Sequence, residues 1–267
     1  MASGQIEFTT QGSVARIIMN RPEARNAMSP EMVEEMGETL RSCRRQDIRA
    51  VIIGGAGGAF CAGADVKDFV DQLDDGGPEA LSQHLNNLAG ALHRDVVLEI
   101  RRLEKPVIAS IDGVAAGGGF SLMLACDLRI ASAASRFLMA YANIGATADG
   151  GSTYLLPRLV GAGKAMELFM SSQPMSAESA LEIGLINQVC PSGDLDRHVL
   201  ETAMRLAEGP TVAYGRVKAL FDRSWDSNLA DQLDAETSAM SNIGLTGDFH
   251  DGIRAFAEKR RPWFQGR

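Results

Sequence analysis

Two glycine-bearing segments carry the most specific chemistry in the chain. Phe60-Cys61-Ala62-Gly63-Ala64-Asp65 follows a short apolar run and precedes a helix-like stretch, and Gly113-Val114-Ala115-Ala116-Gly117-Gly118-Gly119-Phe120 follows another apolar run in the same way. At such strand-to-helix turns the backbone N–H groups point outward near the positive end of a helix dipole. Two of these turns side by side supply a pair of converging donors, which is what a developing enolate oxygen requires. Each segment alone is equally served by a plainer reading, in which glycine permits tight turns and close packing. Nucleotide motifs do not fit. Gly55-Ala56-Gly57-Gly58-Ala59-Phe60 lacks the last glycine of a dinucleotide fingerprint, and Gly163-Lys164-Ala165 lacks the hydroxyl residue a P-loop gives to magnesium. His84, His93, His198 and His250 have no metal-ligand spacing, and each reads as a surface or packing residue.

The elements that must hold these turns are legible from periodicity. Alternation over residues 5–10 and 15–19, around Gln11-Gly12-Ser13, predicts a hairpin. Ser29-Pro30-Glu31 supplies an N-cap hydroxyl, an N1 proline and an early acid for a helix to about residue 45. Short buried strands are expected at residues 50–53, 107–111, 128–131 and 136–139, with helices over residues 79–103 and from residue 118. This is an α/β chain in which strand-helix-strand order recurs, as in stacked ββα units with parallel pairing. From residue 177 onward the pattern is helical, over residues 177–183, 195–207, 212–223, 229–241 and 246–258. Such helices often pack on another subunit. The acidic, glycine-containing stretch 69–77 is expected to be a mobile loop. Leu81, Leu85, Leu88 and Leu92 form an apolar stripe for the core or a pocket wall.

Composition narrows the classes. With 45% hydrophobic residues, the chain can bury a sizeable core. A net charge of -8 disfavours nucleic acid as a partner, since phosphate neutralisation needs a basic surface. Cys43, Cys61, Cys126 and Cys190 lie far apart, which argues against a disulfide framework or a zinc site and for a reducing compartment. No leader pattern opens the chain, and the uncharged run 113–126 is too short for a bilayer, so a cytoplasmic protein without membrane attachment is expected.

Several segments, in order along nearly the whole chain, resemble the enoyl-CoA hydratase/isomerase (crotonase) superfamily. They are Asn20-Arg21-Pro22-Glu23-Ala24-Arg25-Asn26-Ala27, the two glycine segments, Cys126-Asp127 and Phe256-Ala257-Glu258-Lys259-Arg260-Arg261-Pro262. The resemblance implies a crotonase-like spiral of ββα units over residues 1–195, a helical trimerisation region over residues 196–267, and homotrimers or dimers of trimers. It implies an acyl-CoA thioester as ligand, with no metal and no cofactor beyond the coenzyme A that is part of the substrate. The Ala64 and Gly118 N–H groups would form the oxyanion hole. Arg25, Ala27, Ala62, Asp65 and Val66 would lie near the coenzyme A, with Phe256 and Lys259 approaching its adenine end from the same or a neighbouring subunit. Lys259-Arg260-Arg261 would meet a 3′-phosphate or serve as a solvated helix end.

Departures from the family pattern bear on the reaction. Where two-glutamate hydratases carry their acids, this chain places Ser121 and Tyr141, neither of which can serve as a carboxylate base. Asp149, in Gly145-Ala146-Thr147-Ala148-Asp149-Gly150-Gly151-Ser152, is the acid in the pocket segments that could replace them. Its bland alternative is a turn former or helix cap. The surrounding segment 137–157 most resembles 1,2-epoxyphenylacetyl-CoA isomerase and its relatives. The expected activity is proton transfer along an acyl-CoA with Asp149 as acid/base, moving a double bond or rearranging a ring. The alternatives are hydration of an unusual cyclic enoyl-CoA, dehalogenation or thioester hydrolysis with Asp149 as nucleophile, and a catalytically silent coenzyme A-binding scaffold.

Overall fold

The computed structural model describes residues 4–267. β1 (Ile6–Gln11) and β2 (Val14–Met19) form the expected antiparallel hairpin. The pairing then turns parallel, from β2 to β3 (Ala50–Gly55) and from β3 to β4 (Val107–Ile111). A second, smaller sheet begins with β5 (Val114–Ala116). The main sheet continues through β6 (Leu128–Ser132), the small one through β7 (Arg136–Leu138) and β8 (Met175–Ser176), and β9 (Gln188–Cys190) closes the main sheet's far edge. The strand orders are β1-β2-β3-β4-β6-β9 and β5-β7-β8.

The apolar runs explain the parallel sheet. Successive side chains point to opposite faces, so a strand covered on both sides needs apolar residues throughout. Ala15, Ile17, Val51, Ile53, Val107 and Ala109 fall in one buried cluster, whereas Val14, Ala50, Ile52, Ile108 and Ile130 fall in another. The first face is covered by α1 (Pro30–Ser42) through Met32, Val33, Met36 and Leu40. Ser29 caps α1 by accepting from the Met32 N–H at 3.2 Å, as its sequence predicts.

The chain then enters α2 (Val66–Ala91), a π-helical turn at Leu92–Val97 and α3 (Leu98–Arg102). Here one expectation fails: residues 69–76 are helical rather than a mobile loop. Val66, Phe69, Val70 and Leu73 sit at helical spacing, and that apolar stripe outweighs the acids Asp71, Asp74 and Asp75 on the rest of the surface. The turn signal at Gly77-Pro78 is real but only creases the helix, with Gly77 at φ 73°. Phe69 meets His84 edge-on across the crease, and His84 Nε2 lies 2.9 Å from Asp68 Oδ2.

α4 (Gly118–Ala125) is buried along its whole length. It is followed by α5 (Ser152–Val160), α6 (Ala162–Ser171) and α7 (Ala177–Glu182). α8 (Leu195–Ala207) covers the second face of the main sheet with Leu195, Val199 and Ala203. α9 (Thr211–Ser224), α10 (Leu229–Ile243) and α11 (Gly247–Glu258) complete the helical end. No helix among the described residues is long and apolar enough to cross a membrane. All four cysteines are free and buried, and burial pushes the Cys61 and Cys126 thiols up to about 12.

A polar knot ties the helical end to the sheet. Asp127 accepts from the Val107 N–H at 2.8 Å and from Lys218 Nζ at 2.8 Å, and Arg101 bridges Asp127 and Asp222. Burial pushes the Lys218 ammonium below its ordinary range, so its charge depends on this partner. Asp127→Ala would leave Lys218 and the Val107 N–H without the carboxylate. The expected loss is about 3 kcal/mol of stability, read as a lower urea midpoint.

Candidate active site

Three backbone segments meet beside the small sheet, and their hydrogen bonds decide what remains available. The Met28 N–H donates to Gly63 O at 2.7 Å and the Asp65 N–H to Met28 O at 3.1 Å. The Cys61 N–H donates to Val114 O at 3.0 Å and the Ala116 N–H to Cys61 O at 2.9 Å. The Gly117 N–H reaches Leu138 O on β7 at 3.0 Å. Asn26, fully buried, sends its amide to Ala56 O and Ala59 O and accepts from the Arg21 N–H, fixing the first segment against the turn before Cys61. After this pairing, the Ala64 and Gly118 N–H groups donate to no protein acceptor among the described residues.

Glycine at 119 permits the approach. A Cβ there would stand 2.3 Å from Cys61 O, so any side chain would push α4 off the turn that presents Ala64. A Cβ built on Gly118 would lie 3.8 Å from the Ala64 nitrogen, which shows how near the two donors sit.

Both donors line a cavity of about 380 Å³. Its apolar wall comes from Met28 and Val33, from α2 through Val66, Phe69, Leu85 and Leu88, and from Leu92 of the π-helical turn. Leu85, Leu88 and Leu92 of the leucine stripe therefore face a pocket. Tyr141, Ile144 and Asp149 complete the opposite side, and Asp149 is the sole carboxylate among the lining residues.

Asp149 is held from several directions. Tyr141 Oη donates to its Oδ1 at 2.6 Å, and Ser121 Oγ lies 2.7 Å from the same phenol oxygen. Ser121 and Tyr141 are both buried, so the chain of hydroxyls runs from α4 to the acid. Burial and the Asp149 charge push the Tyr141 phenol well above its ordinary range, so it stays a donor. The backbone at Asp149 forms a tight turn: Gly150 and Gly151 have φ of 60° and 79°, and the Ser152 N–H returns to Asp149 O at 3.1 Å. Two successive left-handed residues make glycine the natural choice at both positions.

The other expected residues separate into two groups. Ala62 and Val66 line the cavity, and Ala27 is buried beside it, with its carbonyl accepting from Arg21 Nη1 at 2.7 Å. Arg25 is exposed at the rim, and its carbonyl accepts from the Ala62 N–H at 3.0 Å. Asp65 caps α2 and pairs with Arg21 at 2.9 Å, so its side chain is already engaged. Phe256 and Lys259 lie at the end of α11 and line no part of this cavity; Phe256 is 88% exposed beside an apolar hollow of the C-terminal helices. One histidine read as a surface or packing residue meets the Asp149 turn. His93 Nε2 accepts from the Gly150 N–H at 3.0 Å and stands 4.0 Å from Asp149 Oδ2. Its only sequence signal is its position next to Leu92, at the end of the leucine stripe.

The family model for enoyl-CoA hydratase/isomerase matches residues 9–267. The chain belongs to that family. It is 36% identical over 255 residues to the 1,2-epoxyphenylacetyl-CoA isomerase of Escherichia coli, covering 95% of each chain. It is 34% identical over 263 residues to the short-chain-enoyl-CoA hydratase of Clostridium acetobutylicum, covering 98% of this chain and 97% of that one. The crystal structure of an enoyl-CoA hydratase from Bacillus anthracis superposes with a TM-score of 0.90 at 31% identity, over 98% of this chain and all of the other. The family thus embraces relatives named for hydration and for isomerisation.

Within this enoyl-CoA hydratase/isomerase site, Tyr141→Phe keeps the ring and removes the donor to Asp149. Turnover is expected to fall roughly tenfold with KM unchanged, the effect of one hydrogen bond to a charged group. Because the Tyr141 phenol is held above its usual range, the wild-type rate should not decline through phenol ionisation up to about pH 10, which a pH–rate profile checks.

Proposed function

We propose that the chain is an acyl-CoA isomerase that moves a double bond or rearranges a ring through a thioester enolate. One observation carries the reading: Ala64, Gly118 and a single carboxylate, Asp149, line the same cavity. The thioester oxygen accepts from the Ala64 and Gly118 N–H groups, which are fixed before substrate arrives and need no rearrangement as charge develops. Asp149 Oδ1 is occupied by Tyr141, so Oδ2 takes the proton from carbon and returns it to another carbon. The apolar wall keeps water from competing for that proton.

Hydration is the second reading, favoured by the name of the short-chain-enoyl-CoA relative. It would have Asp149 position the water alone, since a hydroxyl pair, Ser121 and Tyr141, stands beside it in place of further acids. Incubation with enoyl-, dienoyl- and aryl-CoA esters in heavy water separates the two. Isomerisation yields deuterium in the product without a gain of water, and Asp149→Asn slows it about a hundredfold or more. Uptake of solvent oxygen, or an Asp149→Asn variant with unchanged exchange, would overturn the proposal.

The helical end supports assembly as a homotrimer or a dimer of trimers. Leu229, Leu233, Met240, Leu245 and Phe256 are large apolar side chains left exposed along the C-terminal helices, the kind of surface that subunit contacts cover. In such an assembly Phe256 and Lys259 serve the coenzyme A of a neighbouring subunit. Sedimentation should give three or six times the 28.5 kDa chain mass; a monomer would refute it.

A further inference from the structure

The peptide unit between Asp149 and Gly150 is gripped at both of its polar atoms. Its carbonyl accepts from the Ser152 N–H at 3.1 Å and from Ser152 Oγ at 2.8 Å. Its N–H donates to His93 Nε2 at 3.0 Å. Gly150 is buried, and a buried N–H without a partner is costly, so the imidazole supplies something the turn needs. On its other side Gly150 is pressed against Ser121, where an added Cβ would stand 2.6 Å from the Ser121 Cβ. The turn therefore has no room to relax toward α4.

The segment that offers His93 is unusual in itself. Leu92–Val97 is π-helical, with the Leu98 N–H reaching back to His93 O. Such turns insert an extra residue into a helix and re-aim side chains, often at functional sites. Here Leu92 stays buried against the pocket while the neighbouring His93, 45% exposed at its side chain, contacts the Asp149 turn. Nε2 is the acceptor in this contact, which places a ring proton on Nδ1.

We propose that His93 is a positioning residue for Asp149. Its Nε2 fixes the Asp149–Gly150 peptide plane, and the plane fixes the Cα from which the carboxylate projects. With Oδ1 held by Tyr141 and the backbone held by His93 and Ser152, Oδ2 is left with a single direction. The inference rests on Asp149 as the proton-transferring group.

Three variants test it. In His93→Gln, Oε1 reaches about as far as Nε2 and can accept from the Gly150 N–H; His93→Asn is polar but too short; His93→Leu has no acceptor. The glutamine variant should keep turnover within about twofold of wild type. The asparagine and leucine variants should lose roughly tenfold in kcat with KM unchanged, and both should melt somewhat below wild type and the glutamine variant, because the buried Gly150 N–H loses its acceptor. Amide hydrogen exchange read by mass spectrometry on peptides spanning residues 145–154 should quicken in the last two variants and not in the first. Equal loss of kcat in all three, or unchanged exchange in the leucine variant, would overturn the proposal. Should Asp149→Asn keep full activity, the reading of Asp149 fails instead, and the exchange data still judge the grip on Gly150 separately.

Discussion

Everything at the site depends on which backbone N–H groups the fold leaves unpaired. Residues 26–28, 61–65 and 114–118 are laced together so closely that nearly every amide in them has an assigned acceptor. The exceptions that face the cavity, Ala64 and Gly118, are therefore fixed by their neighbours' bonds rather than by any contact of their own. An amide held in this way has lost its freedom during folding, so a developing negative oxygen meets donors already in place. Neither Ala64 nor Gly118 contributes a functional side chain, and the chemistry is a property of the frame. That is why Asn26, whose side chain touches no part of the cavity's lining, matters to it as much as the lining residues do.

On the facing side the arrangement is made by side chains, and the logic is different. A carboxylate has freedom about two bonds, and the fold removes it in stages. Glycines at 150 and 151 allow the turn, Ser152 closes it, and the buried pair Ser121–Tyr141 directs a hydroxyl at one oxygen. In the two-glutamate pattern that the family resemblance brings to mind, those two positions would hold the acids themselves. Here they hold groups that orient an acid standing elsewhere.

Much of this was legible in the sequence. The strands announce themselves as unbroken apolar runs because both faces of the main sheet are covered, and the Ser29-Pro30 pair marks the start of α1 to the residue. The two glycine turns, the acid and the hydroxyl pair also stand out as residue types in a suggestive order. What escaped had tertiary causes. Residues 69–77 carry loop-like composition, yet the apolar spacing of Val66, Phe69, Val70 and Leu73 prevails, with Val66 and Phe69 facing the cavity. His93 lies 56 positions from Asp149, and its aim depends on a π-helical turn that no periodicity of side chains reveals. A histidine without a metal-like neighbour looks idle until the partner across the gap is known.

α2 has a consequence of a different sort. None of its 26 residues is fully buried, although it forms a large part of the pocket wall. The part of the cavity wall that α2 supplies is thus written in residues outside the buried core, whereas Met28, Val33 and Leu92 serve both. Substitutions at Val66, Phe69 or Leu85 reshape the cavity while the sheet, the laced turns and their two amides go on undisturbed. Drift along a single helix can thus remodel the cavity with the frame of paired amides inherited intact.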